Sequence, residues 1–317
     1  MKAVMYHYVR DGVDRLPNYY YLDITDFRKQ LDYFDQEFGF VERESFLAYL
    51  RGVRSTPPSG VILTFDDGLR DHYEFVFAEL QKRDLWGIFY VPTGPYQTET
   101  LLDVHKTHIL LGEVSGSELL AETHEIIEEK MIPHRRREEY KTKTYKTHDD
   151  IKATKEVKRI LNYYVSDEFQ TEVLDRLAAR IGHEPVDVSD YYVRPEELRE
   201  MYQNGMTIGA HTVNHPVLSK LDKREQELQI HDSFAHLDDI LGDMTLRTFC
   251  YPYGNDATYN EITVELLNSC ECEWCFKVES ADITDEDIGS RPQALPRYDC
   301  NEFPYGEASG SIGTNSK

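Results

Sequence analysis

The sequence predicts an α/β fold with a largely parallel sheet and a large helical insertion. Three observations lead there. Val61-Ile62-Leu63-Thr64-Phe65 and Gly87-Ile88-Phe89-Tyr90-Val91 are short β-prone runs flanking a helical stretch at 71–83, and strand, helix, strand with short connections makes a parallel pair. The same alternation returns after residue 190. Between the two, from about Tyr96 to Asp190, the pattern is charged and helical with no convincing strand.

Taken in order, residues 3–9 are β-rich and read as a first, interior strand with His7 near its C-terminal end. Asp23-Ile24-Thr25-Asp26 caps a helix whose Phe27, Leu31, Phe34 and Phe38 recur at helical spacing and whose stop is Gly39. A second short helix covers roughly 43–51, and Thr56-Pro57-Pro58-Ser59-Gly60 turns the chain into the central strand at 61–67. The charged segment sits on a βα loop, where such folds place lids and specificity elements. Beyond it come a helix from Arg194 to Asn204 stopped by Gly205, a strand at 206–211, and an amphipathic helix at 222–241 stopped by Gly242. A strand at 246–251, a helix at 257–269 and a strand at about 273–278 follow. An Asp-rich loop at 281–287 leads to a last short strand, Ala294-Leu295-Pro296-Arg297-Tyr298-Asp299. The expected division is therefore 1–95 and 191–302 for the strand-bearing body, 96–190 for a helical insertion or lid, and 303–317 for a flexible tail.

A chain of 317 residues can bury a substantial core. The net charge of -23, from 58 acids against 35 bases, argues against nucleic acid or anionic membrane as main partner, since both need basic patches. No apolar run approaches a membrane span. The segment after Met1-Lys2 is too short and too polar for the apolar core of a signal peptide, so the expected location is cytoplasmic. Five cysteines, an odd count in a large chain, are no disulfide framework. Cys270, Cys272 and Cys275 lie close together but lack a second ligand pair, and Trp274 and Phe276 make that stretch read as a buried strand rather than a metal or redox centre.

Chemistry concentrates in two places. The run Val61–Phe65 leads straight into Asp66-Asp67-Gly68, which delivers two carboxylates to the rim of a parallel sheet, where ligands bind. Far downstream, Ile208-Gly209-Ala210 leads into His211-Thr212-Val213-Asn214-His215. One Asp and two His make a facial ligand set for a divalent metal with positions left for water and substrate. The remaining Asp is then free to take a proton from that water, as in a metal hydrolase. His105 and His108, just past the third strand's loop, are further candidates to line a pocket.

These motifs, Thr64–Gly68 and His211–His215, together with Arg247-Thr248-Phe249-Cys250-Tyr251-Pro252-Tyr253-Gly254, resemble three motifs of the polysaccharide deacetylase family, also called the NodB-homology or carbohydrate esterase family 4. The resemblance covers about residues 1–94 and 191–300. It implies a distorted (β/α)7-type barrel with a large helical insertion, and metal-dependent hydrolysis of an amide. By that resemblance Asp67, His211 and His215 hold the ion, with zinc preferred over cobalt or nickel. Asp66 is the implied base, and the Tyr253 backbone N–H is part of the oxyanion site, with Tyr251 beside it as a substrate contact.

The chain departs from the commonest form of the family in its acid and its orienting arginine. Cys250 stands where the third-motif Arg would be, and Leu295–Asp299 holds no His. The pattern is closer to the branch that includes poly-N-acetylglucosamine deacetylases, whose first strand carries a Tyr-His pair with the His as acid. Tyr6-His7 matches that pair. The implied roles are His7 as general acid and Arg297 as the group that orients or tunes Asp66. The expected activity is removal of an acetyl or formyl group from an amino sugar in cytoplasmic glycan or surface-polysaccharide biosynthesis. A nucleotide-linked or lipid-linked sugar, or a short oligosaccharide, is the candidate substrate, with Arg135–Arg137 as a clamp for a phosphate-bearing carrier. Two alternatives remain on sequence grounds: another metal-dependent amidohydrolase, acting on a cyclic ureide or imide, and a non-catalytic carbohydrate-binding relative.

Overall fold

Side chains along a strand alternate between two faces, and that alternation decides which residues of this chain reach the site. The structure is a computed structural model that describes residues 1–12, 16–144, 149–242 and 244–308. Its strands are β1 (Lys2–Tyr6), β2 (Val9–Arg10), β3 (Leu22–Asp23), β4 (Val61–Phe65), β5 (Ile88–Val91), β6 (Thr207–Ala210), β7 (Thr248–Cys250), β8 (Trp274–Phe276) and β9 (Tyr298–Asp299). Seven form one sheet in the order β8-β7-β6-β5-β4-β1-β9, with every pairing parallel. β2 and β3 pair in a separate ribbon.

The last segment bends this sheet round. Leu295 bridges Phe276 in β8, while Tyr298 and Asp299 pair with Val4 and Met5 in β1. Leu295 N–H donates to the Cys275 carbonyl at 2.9 Å, and Lys277 N–H donates to the Leu295 carbonyl at 2.9 Å. One short stretch thus touches both edges of the sheet and curls it into the distorted barrel that the motifs imply.

The two faces bury separate cores. Leu63, Phe65, Phe89, Val91, Ile208 and Phe249 point outward and pack with Phe27, Leu31, Leu198, Met201, Ile230 and Phe234 of the surrounding helices. Ile62, Ile88, Tyr90, Cys250, Trp274, Phe276 and Leu295 pack together on the inner face. Thr64 and Asp66 share the parity of Ile62 and so turn inward. Both faces being covered explains why β4 and β5 read as continuous apolar runs.

Local structure departs from the periodic reading in two places. The stretch at 71–83 is not one regular helix: His72–Phe77 is π-helical and only Ala78–Lys82 is α-helical. The Asp-rich loop contains a short helix, Asp285–Ser290, capped by the Thr284 hydroxyl, which accepts from Asp287 N–H at 3.3 Å.

Two units divide the described chain. The first comprises Met1–Asp11, Tyr21–Thr100 and Asp187–Ala308, and the second comprises Gly12–Tyr20 and Leu101–Val186. The second unit is helical: Asp103–Glu113, Gly116–Ile126, Asp150–Arg159 and Asp167–Ile181 bury Leu119, Leu120, Val157, Leu161, Val173 and Leu177 in a core of their own. Gly116 lies against Thr154 and the Asp150 backbone, an approach that a side chain would block. Of the stretch expected as a tail, Phe303 packs edge-on against Phe34 at 5.1 Å, and residues 309–317 lie outside the described residues.

Candidate active site

The strand ends of the barrel carry unusual backbone. Asp67 (φ 81°), Thr212 (φ 67°), His215 (φ 57°) and Tyr253 (φ 61°) are all left-handed, half of the eight non-glycine residues with positive φ among the described residues. Such conformations cost about 1 kcal/mol or more each and persist where surrounding structure enforces them. Here the enforcement is visible. Thr212 Oγ1 accepts from His215 N–H at 2.9 Å, and the Thr212 and Val213 carbonyls accept from Thr93 N–H at 3.1 Å and Gly94 N–H at 2.8 Å. Gln229 Oε1, on the helix Lys223–Leu241, accepts from Val213 N–H at 3.1 Å and Asn214 N–H at 2.8 Å. Any side chain at Gly94 would strike Asn214 and the Val213 carbonyl.

This frame brings Asp67, His211 and His215 together. Both imidazole Nε2 atoms lie 3.6 Å from Asp67 Oδ1, and the two rings are 4.8 Å apart. All three residues are buried, and their ligand-type atoms lie within 4.8 Å of one another. His211 Nδ1 is 2.7 Å from the Cys250 carbonyl. A carbonyl only accepts, so Nδ1 carries the hydrogen and Nε2 presents its lone pair towards Asp67. Burial lowers the His211 pKa against the pull of Asp66 and Asp67, which keeps the ring neutral. One carboxylate oxygen and two neutral imidazole nitrogens, converging with a fixed tautomer, suit a divalent cation such as zinc.

Asp66 stands beside that set, a carboxylate oxygen within 4.8 Å of a His211 nitrogen and of Cys250 Sγ, but its oxygens are taken up by another partner. Arg297 grips it with both arms, Nη1 to Oδ1 at 2.8 Å and Nη2 to Oδ2 at 2.7 Å. Arg297 as a residue is only 1 % exposed, and its guanidinium also donates to Thr64 Oγ1 at 3.0 Å and Cys250 Sγ at 2.8 Å. Its plane lies near the Tyr90 and Phe276 rings. Thr64 and Asp66 come from β4 and its end, Tyr90 from β5, Cys250 from β7 and Phe276 from β8, all facing inward, so the curl of the sheet is what gathers them round the arginine. Burial alone would raise the Asp66 carboxyl, but the Arg297 charge and hydrogen bonds, with His211 and His7 adding, hold it at about 2. The Cys250 thiol is pushed well up by burial and stays protonated.

The other sequence candidates fall variously. His7 follows the end of β1, half-buried, and close enough that its charge would lower the Asp66 pKa. Tyr253 is 37 % exposed with its ring 4.9 Å from that of His215. Tyr251, expected to contact substrate, is instead buried, its hydroxyl donated to the Gln293 carbonyl at 2.6 Å and its ring stacked on Tyr259. His105 is fully buried in the second unit, on the helix Asp103–Glu113. The Arg135–Arg137 run is split: Arg136 lies over the Tyr163 ring and donates to its carbonyl, and Arg137 donates to the Ile132 carbonyl at 3.0 Å.

Sequence reasoning passed over His72. It is fully buried, with Nε2 2.7 Å from the His7 carbonyl. The available signal was a titratable residue on an apolar stripe, His72, Val76, Leu80, at helical spacing. Gln229 was equally silent, because its partners Val213 and Asn214 lie on a different element, and Thr64 stood out only as the start of its motif, with nothing local to tie it to Arg297.

Fold and site together define an α/β-barrel hydrolase. A profile of the polysaccharide deacetylase family matches residues 53–274, and the chain belongs to that family, whose members hydrolyse amide bonds of acetylated sugars with the help of a metal ion. No curated protein matches the chain. Solved structures that share the fold include the deacetylase PplD of Streptococcus pyogenes, determined with acetate (18 % identity, 94 % of this chain and 91 % of that one, TM-score 0.57). The BpsB deacetylase domain of Bordetella bronchiseptica aligns at 14 % identity over 94 % of this chain and 95 % of that one, with a TM-score of 0.54. A de-N-acetylase from Aggregatibacter actinomycetemcomitans aligns at 14 % identity over 93 % of each chain, with a TM-score of 0.52.

Proposed function

We propose that this chain is a metal-dependent N-deacetylase of an amino-sugar oligomer or polymer. The observation that carries the reading is the convergence of Asp67, His211 and His215 beside a second carboxylate, Asp66, whose two oxygens are both engaged by Arg297 and which is kept ionised. A divalent ion held by Asp67, His211 and His215 would acidify a water and polarise the scissile carbonyl. Zinc suits the donor set best, with cobalt or nickel as substitutes.

The chain's own groups then divide the work. Asp66 takes the proton of the attacking water, its carboxylate plane fixed by the two-armed grip of Arg297. The Tyr253 N–H, turned by its left-handed backbone, donates to the oxygen that becomes negative as the carbonyl is attacked, a contact typically worth about 3–4 kcal/mol. The Tyr253 ring, exposed beside His215, offers a face to a sugar. His7 gives a proton to the departing amine nitrogen.

A neutral, non-phosphorylated glycan is the favoured substrate. Arg136 and Arg137 are engaged within their own unit, which removes support for a phosphate clamp, and the net charge is -23. The relatives' descriptions as deacetylases and as a de-N-acetylase support the removal of an acetyl group. Five free thiols suit a reducing compartment, the cytoplasm; no helix among the described residues is long and apolar enough to cross a membrane. The direct test is acetate release from N-acetylglucosamine oligomers, from UDP-N-acetylglucosamine and from a cyclic imide, each with added zinc and with chelator. Metal-dependent acetate release from the oligomers is expected. Turnover of the imide alone, or chelator-resistant release, would overturn the reading.

A further inference from the structure

We propose that His72 is a positioning residue, aiming the His7 imidazole at the leaving nitrogen by holding the His7 main-chain carbonyl; the inference rests on the reading of His7 as general acid. The chain around His7 has left the sheet. The β1–β4 ladder ends at Tyr6 opposite Phe65, and the Tyr6 carbonyl accepts from Asp66 N–H at 2.9 Å. The Tyr8 carbonyl accepts from Leu22 N–H at 2.9 Å. Between them the His7 carbonyl has His72 Nε2 at 2.7 Å. Three successive carbonyls are thereby tied to three different elements, and the backbone that sets the direction of the His7 side chain has little freedom left.

A carbonyl can only accept, so His72 Nε2 carries the hydrogen and Nδ1 the lone pair. Burial, opposed in part by the bond to His7, pushes the His72 pKa down to about 4, so the ring donates as a neutral, single tautomer. The neighbouring residue anchors the same segment. Asp71 Oδ2 accepts from Arg10 Nε at 2.7 Å. The start of the π-helix His72–Phe77 therefore clamps residues 7–10 at both ends.

Stability alone gives His72 no reason to be there. It packs beside the stacked Phe65 and Phe89 rings, at 5.6 and 5.9 Å, on a stripe with Val76 and Leu80 where an apolar side chain would bury no polar atom of its own. Its Nδ1 has no hydrogen-bond partner among the described residues. Burying such a group costs about 1–3 kcal/mol, against about 1 kcal/mol returned by one neutral hydrogen bond. What the imidazole supplies that leucine cannot is a donor with the reach to the His7 carbonyl.

The test separates leaving groups. An N-acetyl amine needs a proton to depart, whereas an aryl acetate releases a phenolate that does not. His72→Leu and His72→Asn, whose amide is too short for the carbonyl, are expected to lower the ratio of amide to aryl-ester turnover by about 10- to 100-fold, in kcat rather than KM. His72→Gln, which restores an N–H at the Nε2 position, is expected to bring the ratio back to within a few-fold. His7→Ala should lower it at least as far as His72→Leu. Parallel loss on both substrates in the His72 variants, or an unchanged ratio while His7→Ala lowers it, would overturn the inference and leave His7 as the acid. An unchanged ratio in His7→Ala would instead overturn the acid assignment, and the inference with it. Should His72→Leu fail to fold, the Asn and Gln pair alone decides.

Discussion

Asp66 and His72 carry opposite lessons about buried titratable groups. Asp66 is desolvated, yet the arginine beside it keeps its carboxyl at about 2. It is thus ionised at any working pH, and its basicity has been exchanged for orientation, a workable arrangement when an ion makes the attacking water acidic. His72 is desolvated without a full ion pair, and its pKa falls to about 4. That shift has a measurable consequence. An unfolded chain binds a proton at His72 near pH 6.5 while the folded chain does not, so this contribution to stability is complete above about pH 6.5 and is lost as pH falls towards 4. His72→Gln removes the group. The thermal stability of the variant relative to the parent should therefore rise on acidification across that window, by up to roughly 3 kcal/mol. A gap that stays constant with pH would show that His72 is not buried as a neutral ring.

Among the elements, the loop 211–215 is the one on which the site depends. The strand that feeds it and the His-x-x-x-His spacing were legible in the sequence, because an apolar run followed by polar ligands is a local pattern. What holds the loop was not legible. Gln229 lies on the outer helix Lys223–Leu241, and nothing in the spacing connects its side-chain oxygen with the Val213 and Asn214 N–H groups. Gln229→Leu leaves these two donors unsatisfied and releases a strained backbone. Zinc affinity measured by competition with a chelator should fall about 10- to 100-fold, as for other losses of support behind metal-binding side chains. An affinity equal to the parent's would show that the loop keeps its shape without Gln229. The π-helical start at His72–Phe77 escaped for a different reason: a stripe at 72, 76 and 80 reads as an ordinary helix, and a spacing of four residues fits the wider turn as well as the α-helical one.

For the whole molecule, the parallel alternation, the charged helical interruption and a last short strand over 294–299 were visible in the sequence, and the family resemblance implied a barrel, but the contacts that close it were not. A strand of two residues, Tyr298–Asp299, gives no periodic signal, yet the segment 295–299 completes the barrel and carries Arg297 to its interior. The family profile spans residues 53–274, so both His7 and Arg297 lie outside the matched stretch. His7 reaches Asp66 because β1 pairs directly with β4, and Arg297 because the segment 295–299 runs from β8 across to β1. The account as a whole stands on a division of labour between adjacent carboxylates, Asp67 binding and Asp66 accepting. The most direct test is to measure zinc content and acetate release together for Asp66→Asn and Asp67→Asn. Asp66→Asn should bind zinc as the parent does and lose about 100-fold or more in turnover, while Asp67→Asn should lose both zinc and turnover. Parent-level acetate release by Asp66→Asn, or full zinc occupancy in Asp67→Asn, would contradict it.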